Sequence, residues 1–197
     1  MGPRTTLPGM LLLAAVCAWG VFSPALSAQV PAPRPEHRAL EVFVGTWAFS
    51  GDIKAVPAAG LTDSGHVVYT HVSRMINGGF FLETRRTGTG TRGPVSELFV
   101  YSYNPASKTY RQDGYNNRGI VRQFTGTVDG RTWTFRGTNT SVDGVVTQER
   151  FEIVCAADFR SATVRSEHSN DGVTWYERLT GTYTKTADAG AAPQPGN

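Results

Sequence analysis

Short segments rich in β-branched and aromatic residues follow one another along most of the chain, and apolar residues alternate with polar ones within several of them. This pattern is typical of strands that bury one face of a pleated sheet. Only residues 36–43 mix charged and apolar residues at near-helical spacing, so we expect one short helix before the first strand. The predicted strands lie at residues 47–49, 67–72, 80–82, 98–103, 120–127, 132–135, 145–154, 162–166 and 175–184.

Dipeptides suited to tight hairpins separate these segments. Gly, Asn and Asp adopt positive φ at low cost, and they recur between the strands at 77–79, 129–130, 143–144 and 171–172. No helical pattern long enough for a parallel crossover lies between the strands, so we expect antiparallel pairing. Closing the sheet removes its exposed edges. The sequence therefore predicts an all-β fold, an up-and-down antiparallel barrel of about 8–10 strands, with an open sandwich as the alternative.

The two ends of the chain differ from this strand-rich part. A basic start, an apolar run from Met10 to Phe22 and small residues up to Ala28 are typical of a secretory signal peptide. The apolar run is shorter than the roughly 20 residues of a membrane helix, so we expect no transmembrane segment and an exported, periplasmic or secreted protein. The predicted organisation is a signal peptide at 1–28, a Pro-rich linker at 29–36, one barrel domain at 37–185 and a disordered tail at 186–197.

Composition narrows the class of protein. Hydrophobic residues make up 40% of the chain and aromatic residues 11%, which suits a packed domain rather than a disordered chain. The net charge of +3 comes from 19 Lys and Arg against 16 Asp and Glu without a basic cluster, so we expect no nucleic-acid partner. Removal of the signal would leave Cys155 alone, which predicts a buried thiol and no internal disulfide.

Motifs for catalysis or metal binding are weak. Residues 88–93 match Gly-x-Gly-x-x-Gly, but Pro94 and a further strand follow, so we expect a hairpin loop and no dinucleotide site. Residues 63–66, Asp-Ser-Gly-His, combine hydrolase residue types without a Gly-x-Ser-x-Gly elbow, and we interpret them as a turn. His66 and His71 fall on opposite faces of one strand, and no His pair has zinc-helix spacing. The sequence therefore predicts no catalytic residue and no metal site.

Tyr and Trp residues concentrate in the predicted strands and their ends. Their rings are apolar with one polar tip, which suits the wall of a cavity for a small apolar or amphipathic ligand. The alternative is that the same rings fill the barrel, because barrels of about eight strands either pack solid or hold one small ligand. The predicted ligand-lining residues are Tyr69, Tyr101, Tyr103, Trp133 and His168.

The entrance to the first strand resembles that of lipocalins and their calycin relatives. A helical turn runs into Gly45-Thr46-Trp47, and in calycins the Trp at this position packs across one end of the barrel under an Arg or Lys from a late strand. The resemblance implies that Gly45 and Trp47 form a structural barrel end and that Arg178 lies over Trp47, with Arg165 as the second choice.

A wider set of segments resembles the bacterial domain-of-unknown-function family 1579, a calycin-like family. The segments are 37–47, 78–82, 103–110, 126–133 and 169–175, and they cover nearly the whole predicted domain. A second relative, nitrobindin, binds haem through a His near its C-terminus. The last strand here, 175–185, has no His, and only His168 one strand earlier could serve. We therefore expect no cofactor, haem included.

Three functions follow from these observations. The favoured one is an exported barrel that binds a small apolar or amphipathic ligand. The second is a structural or interaction protein of the cell envelope with a filled barrel. An enzyme is the least favoured, because one fold hosts many functions and no motif here identifies a reaction.

Overall fold

The computed structural model describes residue 2 and residues 31–188, and the latter form ten antiparallel strands after one short helix. The helix α1 spans Pro35–Arg38 and continues as a 3-10 turn over Ala39–Phe43. The strands are β1 Gly45–Ile53, β2 Gly65–Ile76, β3 Phe81–Gly90, β4 Gly93–Asn104, β5 Thr109–Asn116, β6 Val121–Asp129, β7 Thr132–Thr140, β8 Val146–Cys155, β9 Ser161–Ser169 and β10 Tyr176–Ala187.

Each strand pairs with its neighbours in the sequence, and β10 returns to pair with β1. The sheet is therefore a closed up-and-down barrel, which confirms the predicted fold class and excludes the open sandwich. The Gly-x-Gly-x-x-Gly segment is a hairpin, since Gly90 at the end of β3 faces Gly93 at the start of β4. Hairpins account for the order of most neighbouring strands, and the pairing of β10 with β1 closes the barrel.

Strand β5 was missing from the predicted set. Its sequence, Thr-Tyr-Arg-Gln-Asp-Gly-Tyr-Asn, is too polar to stand out as a half-buried strand. In the barrel its alternate residues Tyr110, Gln112 and Gly114 are buried, whereas Arg111 and Tyr115 are exposed. The alternation is present, but a polar side chain and a glycine occupy buried positions, so the strand lacks the apolar periodicity of its neighbours.

The helical segment covers one end of the barrel, which we call the helix end. Leu40 is fully buried there, and the Phe43 ring lies 5.0 Å from that of Trp133. Trp47 Nε1 donates a hydrogen bond to the carbonyl oxygen of Phe43 at 2.8 Å, and the Tyr110 hydroxyl donates to that of Glu36 at 3.0 Å. These contacts seal the helix end with apolar rings and satisfy their polar tips.

Glycines inside the barrel make room for aromatic rings. A Cβ at Gly126 would lie 2.5 Å from the Phe135 ring, and one at Gly181 would lie 2.4 Å from the Phe49 ring. A third glycine, Gly114, stands against Phe99 in the same way, with a Cβ distance of 2.7 Å. Because small residues lie opposite large ones, the aromatic rings fit inside the narrow barrel and pack as densely as an ordinary protein interior.

Two elements of the fold extend past the range predicted for the barrel domain. The helix begins at Pro35, inside the expected linker, and β10 runs to Ala187, two residues into the expected tail. The predicted signal peptide and most of the tail lie outside the described residues. Within residues 31–188, no helix is long and apolar enough to cross a membrane.

Candidate functional site: a row of charged residues inside the barrel

At the end of the barrel opposite the helix, which we call the far end, the inward faces of seven strands become polar. These inward residues form a row around the barrel wall from β3 to β9. Four pairs of residues in the row are directly opposite each other on neighbouring strands. Because side chains alternate across a sheet, the same faces that bury apolar rings nearer the helix end carry these polar groups here. We call this set the polar row: Arg86, Glu97, Asn116, Arg122, Asn139, Glu149 and His168.

Glu97 lies between two arginines. Its carboxylate forms an ion pair with Arg86 on the neighbouring strand, and its second oxygen lies 3.3 Å from Arg122. Asn116 Nδ2 donates to the same second oxygen at 3.2 Å. The Glu97 side chain is only 1% exposed. A carboxylate this deeply buried requires such partners, because leaving an ion unpaired inside a protein costs several kcal/mol.

Arg86 also stands over two aromatic faces. Its guanidinium carbon lies 4.6 Å from the centre of the Tyr69 ring and 5.2 Å from that of Phe99. Arginine is suited to this position because its guanidinium forms ion pairs at its edge and stacks on rings with its face. The rings therefore hold the Arg86 side chain inside the barrel while its edge reaches Glu97.

Glu149 is the second buried carboxylate of the polar row. Its Oε2 accepts hydrogen bonds from Asn139 Nδ2 at 2.8 Å and from Arg122 at 3.3 Å, and it lies 3.4 Å from His168 Nε2. Burial alone would raise the pKa of Glu149, but the charges of His168 and Arg122 and these hydrogen bonds outweigh it. The pKa is lowered from 4.5 to about 2, so the group is ionised at neutral pH.

This lowered pKa predicts a loss of stability in acid. The folded pKa lies below the unfolded one, so the stabilisation is complete above about pH 4.5 and disappears as the pH falls toward 2. A pKa of about 2 against 4.5 corresponds to roughly 3 kcal/mol. Urea unfolding of the wild type and Glu149→Gln at pH 7, 4.5, 3 and 2 measures the effect. We expect a shallower fall in the free energy of unfolding for the variant, and parallel curves would contradict the assignment.

Several buried polar atoms inside the barrel have no hydrogen-bond partner among the described residues. They are Arg86 Nε, Glu97 Oε2, Arg122 Nε, His168 Nδ1, Ser166 Oγ and His71 Nε2. Buried polar groups are otherwise nearly always paired with protein or ordered water. Four of these six atoms belong to the polar row. Glu97 Oε2 is ion-paired with Arg86, so the three nitrogen atoms of Arg86, Arg122 and His168 are the groups that the site offers to something other than its own chain.

Nearer the helix end, the barrel encloses a small cavity of about 40 Å³. His71, Ser73, Thr84, Tyr101 and Tyr183 contribute to its wall together with apolar side chains. Burial and the charge of Arg86 lower the pKa of His71 well below 6.5, so its imidazole is neutral at neutral pH. The space is enough for a few water molecules, and it is far smaller than the roughly 300 Å³ of the smallest ordinary ligand pockets.

Side-chain hydrogen bonds hold the segment between β1 and β2 in place at the far end. The Arg178 guanidinium donates to the carbonyl oxygens of Lys54 and Asp63 and lies 2.7 Å from the Asp63 carboxylate. Asp63 also accepts from Thr91 and Arg92 on the β3–β4 hairpin. Although these hydrogen bonds hold the segment in place, the side chains of Arg122 and Arg86 remain 22% and 16% exposed. Solvent therefore reaches the polar row.

The residues predicted to line a ligand site do not all lie together. Tyr69 stands under Arg86, and His168 belongs to the polar row itself. Tyr101 lies deeper, at the small cavity, while Tyr103 and Trp133 pack near the helix end. Whether any of them contacts a ligand stays a prediction, but only Tyr69 and His168 touch the charged residues of the site.

The expected partner of Trp47 was wrong. Arg178, on β10, lies at the far end and donates hydrogen bonds to the β1–β2 segment. Arg165 lies on the outer surface between Glu167 and Glu177. The cation over the Trp47 ring is Lys185, whose Nζ lies 5.0 Å from the ring centre. Lys185, on β10, is paired with Trp47 in the sheet. The C-terminal part of β10 lies at the helix end, and Lys185 follows Arg178 by about seven residues along this strand.

Sequence reasoning missed the charged residues of the polar row other than His168. Their signal was available: Glu97, Arg122 and Glu149 fall at positions that continue the buried alternation of β4, β6 and β8. A charged residue that falls where the strand's alternation predicts a buried apolar one indicates an ion pair inside the protein or a functional site. Within residues 31–188, no group of three or more His, Cys, Asp or Glu side chains is arranged to hold a metal ion.

Comparison with known proteins supports the family resemblance. The family model described as "Protein of unknown function (DUF1579)" matches residues 32–185. A crystal structure of Rv2717c from M. tuberculosis superposes with a TM-score of 0.55 at 15% identity, covering 78% of this chain and 98% of that one. The structure of EF1p2_mFAP2b bound to DFHBI gives a TM-score of 0.42 at 15% identity, covering 76% and 98%. No curated protein matches. At this identity, the likeness to Rv2717c concerns the fold alone.

Proposed function

This chain belongs to the DUF1579 family, and from that premise we propose that it is a small-molecule binding protein whose ligand places an acidic group at the polar row. The observation that carries the proposal is the set of unpartnered N–H groups and ring nitrogens on Arg86, Arg122 and His168. Arginine is the side chain best suited to hold a carboxylate in a partly buried site. The ligand class is therefore a small amphipathic acid.

The formal charges of the polar row balance. Arg86 and Arg122 supply two positive charges, and Glu97 and Glu149 supply two negative ones. The attraction for an acidic group therefore comes from the unpartnered nitrogen atoms of the two arginines and not from a net charge of the row.

The size of the interior limits the ligand. The enclosed cavity of about 40 Å³ leaves no room for a long chain among the rings near the helix end. The acid group must therefore enter from the far end, where Arg122 is 22% exposed. The apolar part of the ligand would then lie toward the β1–β2 segment, and the limited space favours short-chain or small aromatic acids.

We also propose that the protein acts after export. Residues 1–28 have the basic start, apolar run and small-residue end of a signal peptide, and Cys155 needs no disulfide partner because burial raises its thiol pKa and keeps it inert. A second candidate function is a structural barrel of the cell envelope. The small size of the enclosed cavity favours it, because a filled barrel needs no ligand.

Native mass spectrometry of the protein purified from a bacterial periplasm tests these proposals together. We expect a mature mass that begins at Gln29 and a bound species that is lost on denaturation. The protein is then stripped and titrated by calorimetry with benzoate and hexanoate, and with hexanol as the uncharged control. Binding of the acids but not of the alcohol supports the proposal.

Variants at the polar row identify the site. Arg122→Lys removes the guanidinium that can hold a carboxylate with two hydrogen bonds, and His168→Gln removes the imidazole ring. Both keep much of the side-chain volume. Each is expected to weaken acid binding about tenfold or more. Arg111→Lys on the exposed face of β5 is the matched control and should bind as the wild type does. A clean apo mass together with no binding of either acid would overturn the proposal in favour of the filled structural barrel.

A further inference from the structure

Three polar side chains form a hydrogen-bonded chain on the outer surface of the barrel. Ser50 and Asp52 are two residues apart on β1 and so share its outer face, and His66 on β2 is paired directly with Asp52. His66 Nδ1 lies 2.8 Å from Asp52 Oδ1, and His66 Nε2 lies 3.0 Å from Ser50 Oγ. This is the order and spacing of a nucleophile, a base and an orienting carboxylate.

We propose that Ser50, His66 and Asp52 act as a catalytic triad toward small activated esters, at a site separate from the barrel interior. An ionised carboxylate only accepts hydrogen bonds, so Asp52 requires the proton of a neutral His66 to be on Nδ1. That tautomer leaves the lone pair of Nε2 facing the Ser50 hydroxyl, which donates to it. The orientation needed for general-base catalysis is therefore set by two strands of a rigid sheet.

The surface around Ser50 offers space and contacts for a short acyl group. An outer groove runs over β8, β9, β10 and β1 to the start of β2, and all three residues of the triad line it. Val154 lines this groove and is 38% exposed, and Val68, which is paired with Ser50 on β2 outside the groove, is 50% exposed. Both present apolar surface to an acyl chain, while Thr182, paired with Ser50 on β10, presents a hydroxyl on the same outer face.

The reaction that these groups support is acyl transfer to water. Ser50 Oγ attacks the ester carbonyl carbon while its proton moves to His66 Nε2. The C–O bond to the leaving group breaks, and that oxygen takes the proton from the imidazolium. Water then attacks the acyl-Ser50 ester, gives its proton to His66, and releases the carboxylic acid as the proton returns to Ser50 Oγ.

The geometry also sets the expected rate. The backbone N–H groups of β1 are used in the closed sheet, so stabilisation of the oxyanion depends on a side-chain donor such as Thr182 rather than on a backbone oxyanion hole. The side chains of His66 and Asp52 are 57% and 69% exposed, so their pairing contributes little energy. We therefore expect slow turnover of activated esters and efficient labelling by reagents that need no turnover.

Labelling of the full-length protein with diisopropyl fluorophosphate and hydrolysis of p-nitrophenyl butyrate test the proposal. Peptide mass mapping should place one phosphoryl adduct on Ser50. His66→Gln should slow both reactions about 100-fold, the ordinary contribution of a general base, and Asp52→Asn should slow them only a few-fold. Ser50→Ala should abolish the adduct and the pre-steady-state burst of p-nitrophenol.

Two controls make the outcome decisive. Ser96→Ala removes an exposed serine of β4 and should change neither reaction, and the circular dichroism spectrum of each variant reports folding. Ester hydrolysis that persists in Ser50→Ala and is lost in His66→Gln would mean direct attack by imidazole and would overturn the nucleophilic role of Ser50. Absence of any adduct on Ser50 would overturn the triad as a whole. Neither result depends on ligand binding inside the barrel.

Discussion

Replacing Glu97 with Gln is expected to lower the free energy of unfolding by about 3–5 kcal/mol, the usual effect of removing one partner from a buried ion pair. Glu97 is shared by Arg86 and Arg122 and its side chain is 1% exposed, so the substitution leaves both guanidinium groups without their common anion. Gln keeps the volume and shape of Glu, which separates the loss of charge from the creation of a cavity. Equilibrium urea unfolding at pH 7 measures the difference.

A matched control exists on the outer face of β8. Glu152 is exposed, and Glu152→Gln should change the free energy of unfolding by less than about 0.5 kcal/mol. Adding Arg86→Met to Glu97→Gln should recover part of the loss, because the second substitution removes a cation that the first left unpaired. A loss below about 1 kcal/mol for Glu97→Gln would mean that the polar row is solvated like a surface ion pair.

Replacing Trp133 with Ala is expected to lower the free energy of unfolding by about 3–5 kcal/mol, while the same substitution at Trp175 lowers it by about 1–2 kcal/mol. Trp133 is 2% exposed, with the rings of Tyr110 and Phe43 at 4.8 and 5.0 Å. Its removal leaves a cavity under the helix end that the surrounding rings can fill only in part. The midpoint of thermal unfolding and the urea-derived free energy both report the difference.

The contrast between these two tryptophans is informative because their local sequences are alike. Both follow an Asp-Gly-x-Thr segment, at 129–132 and at 171–174. Trp175 nevertheless lies outside the barrel, where Arg150 and Arg136 stand 4.5 and 5.0 Å from its ring centre. Exposed cation–π contacts contribute only about 0.5–1 kcal/mol each. Equal losses for the two variants would contradict the assignment of Trp133 to the core and of Trp175 to the surface.

Local sequence determined most of the architecture. β-Branched and aromatic residues identified nine of the ten strands, and Gly, Asn and Asp identified several of the hairpins that give the up-and-down order. These signals are local, since a strand's alternation and a turn's positive φ depend on a few neighbouring residues. Strand β5 escaped because Gln112 and Gly114 occupy buried positions where apolar residues were expected.

The candidate sites were decided by tertiary structure. Residues 63–66 suggested a cluster by proximity in sequence, yet Asp63 reaches Arg178 across the far end, and His66 meets Ser50 and Asp52 on another strand. The predicted pairing of Arg178 with Trp47 failed for the same reason, because Lys185 and not Arg178 is the residue paired with Trp47. Each of these contacts depends on how two strands are staggered.

The sequence by itself determined that this protein has an antiparallel, all-β fold with a helical turn before its first strand. Only the tertiary structure decided which charges meet inside the barrel and which hydroxyl faces an imidazole outside it. The physical reason is that the two-residue period of a strand defines two faces but carries no information on register. Ion pairs and hydrogen bonds act over about 3 Å, so a shift of one residue, about 3.3 Å, would separate every partner in the polar row and in the Ser50–His66–Asp52 chain.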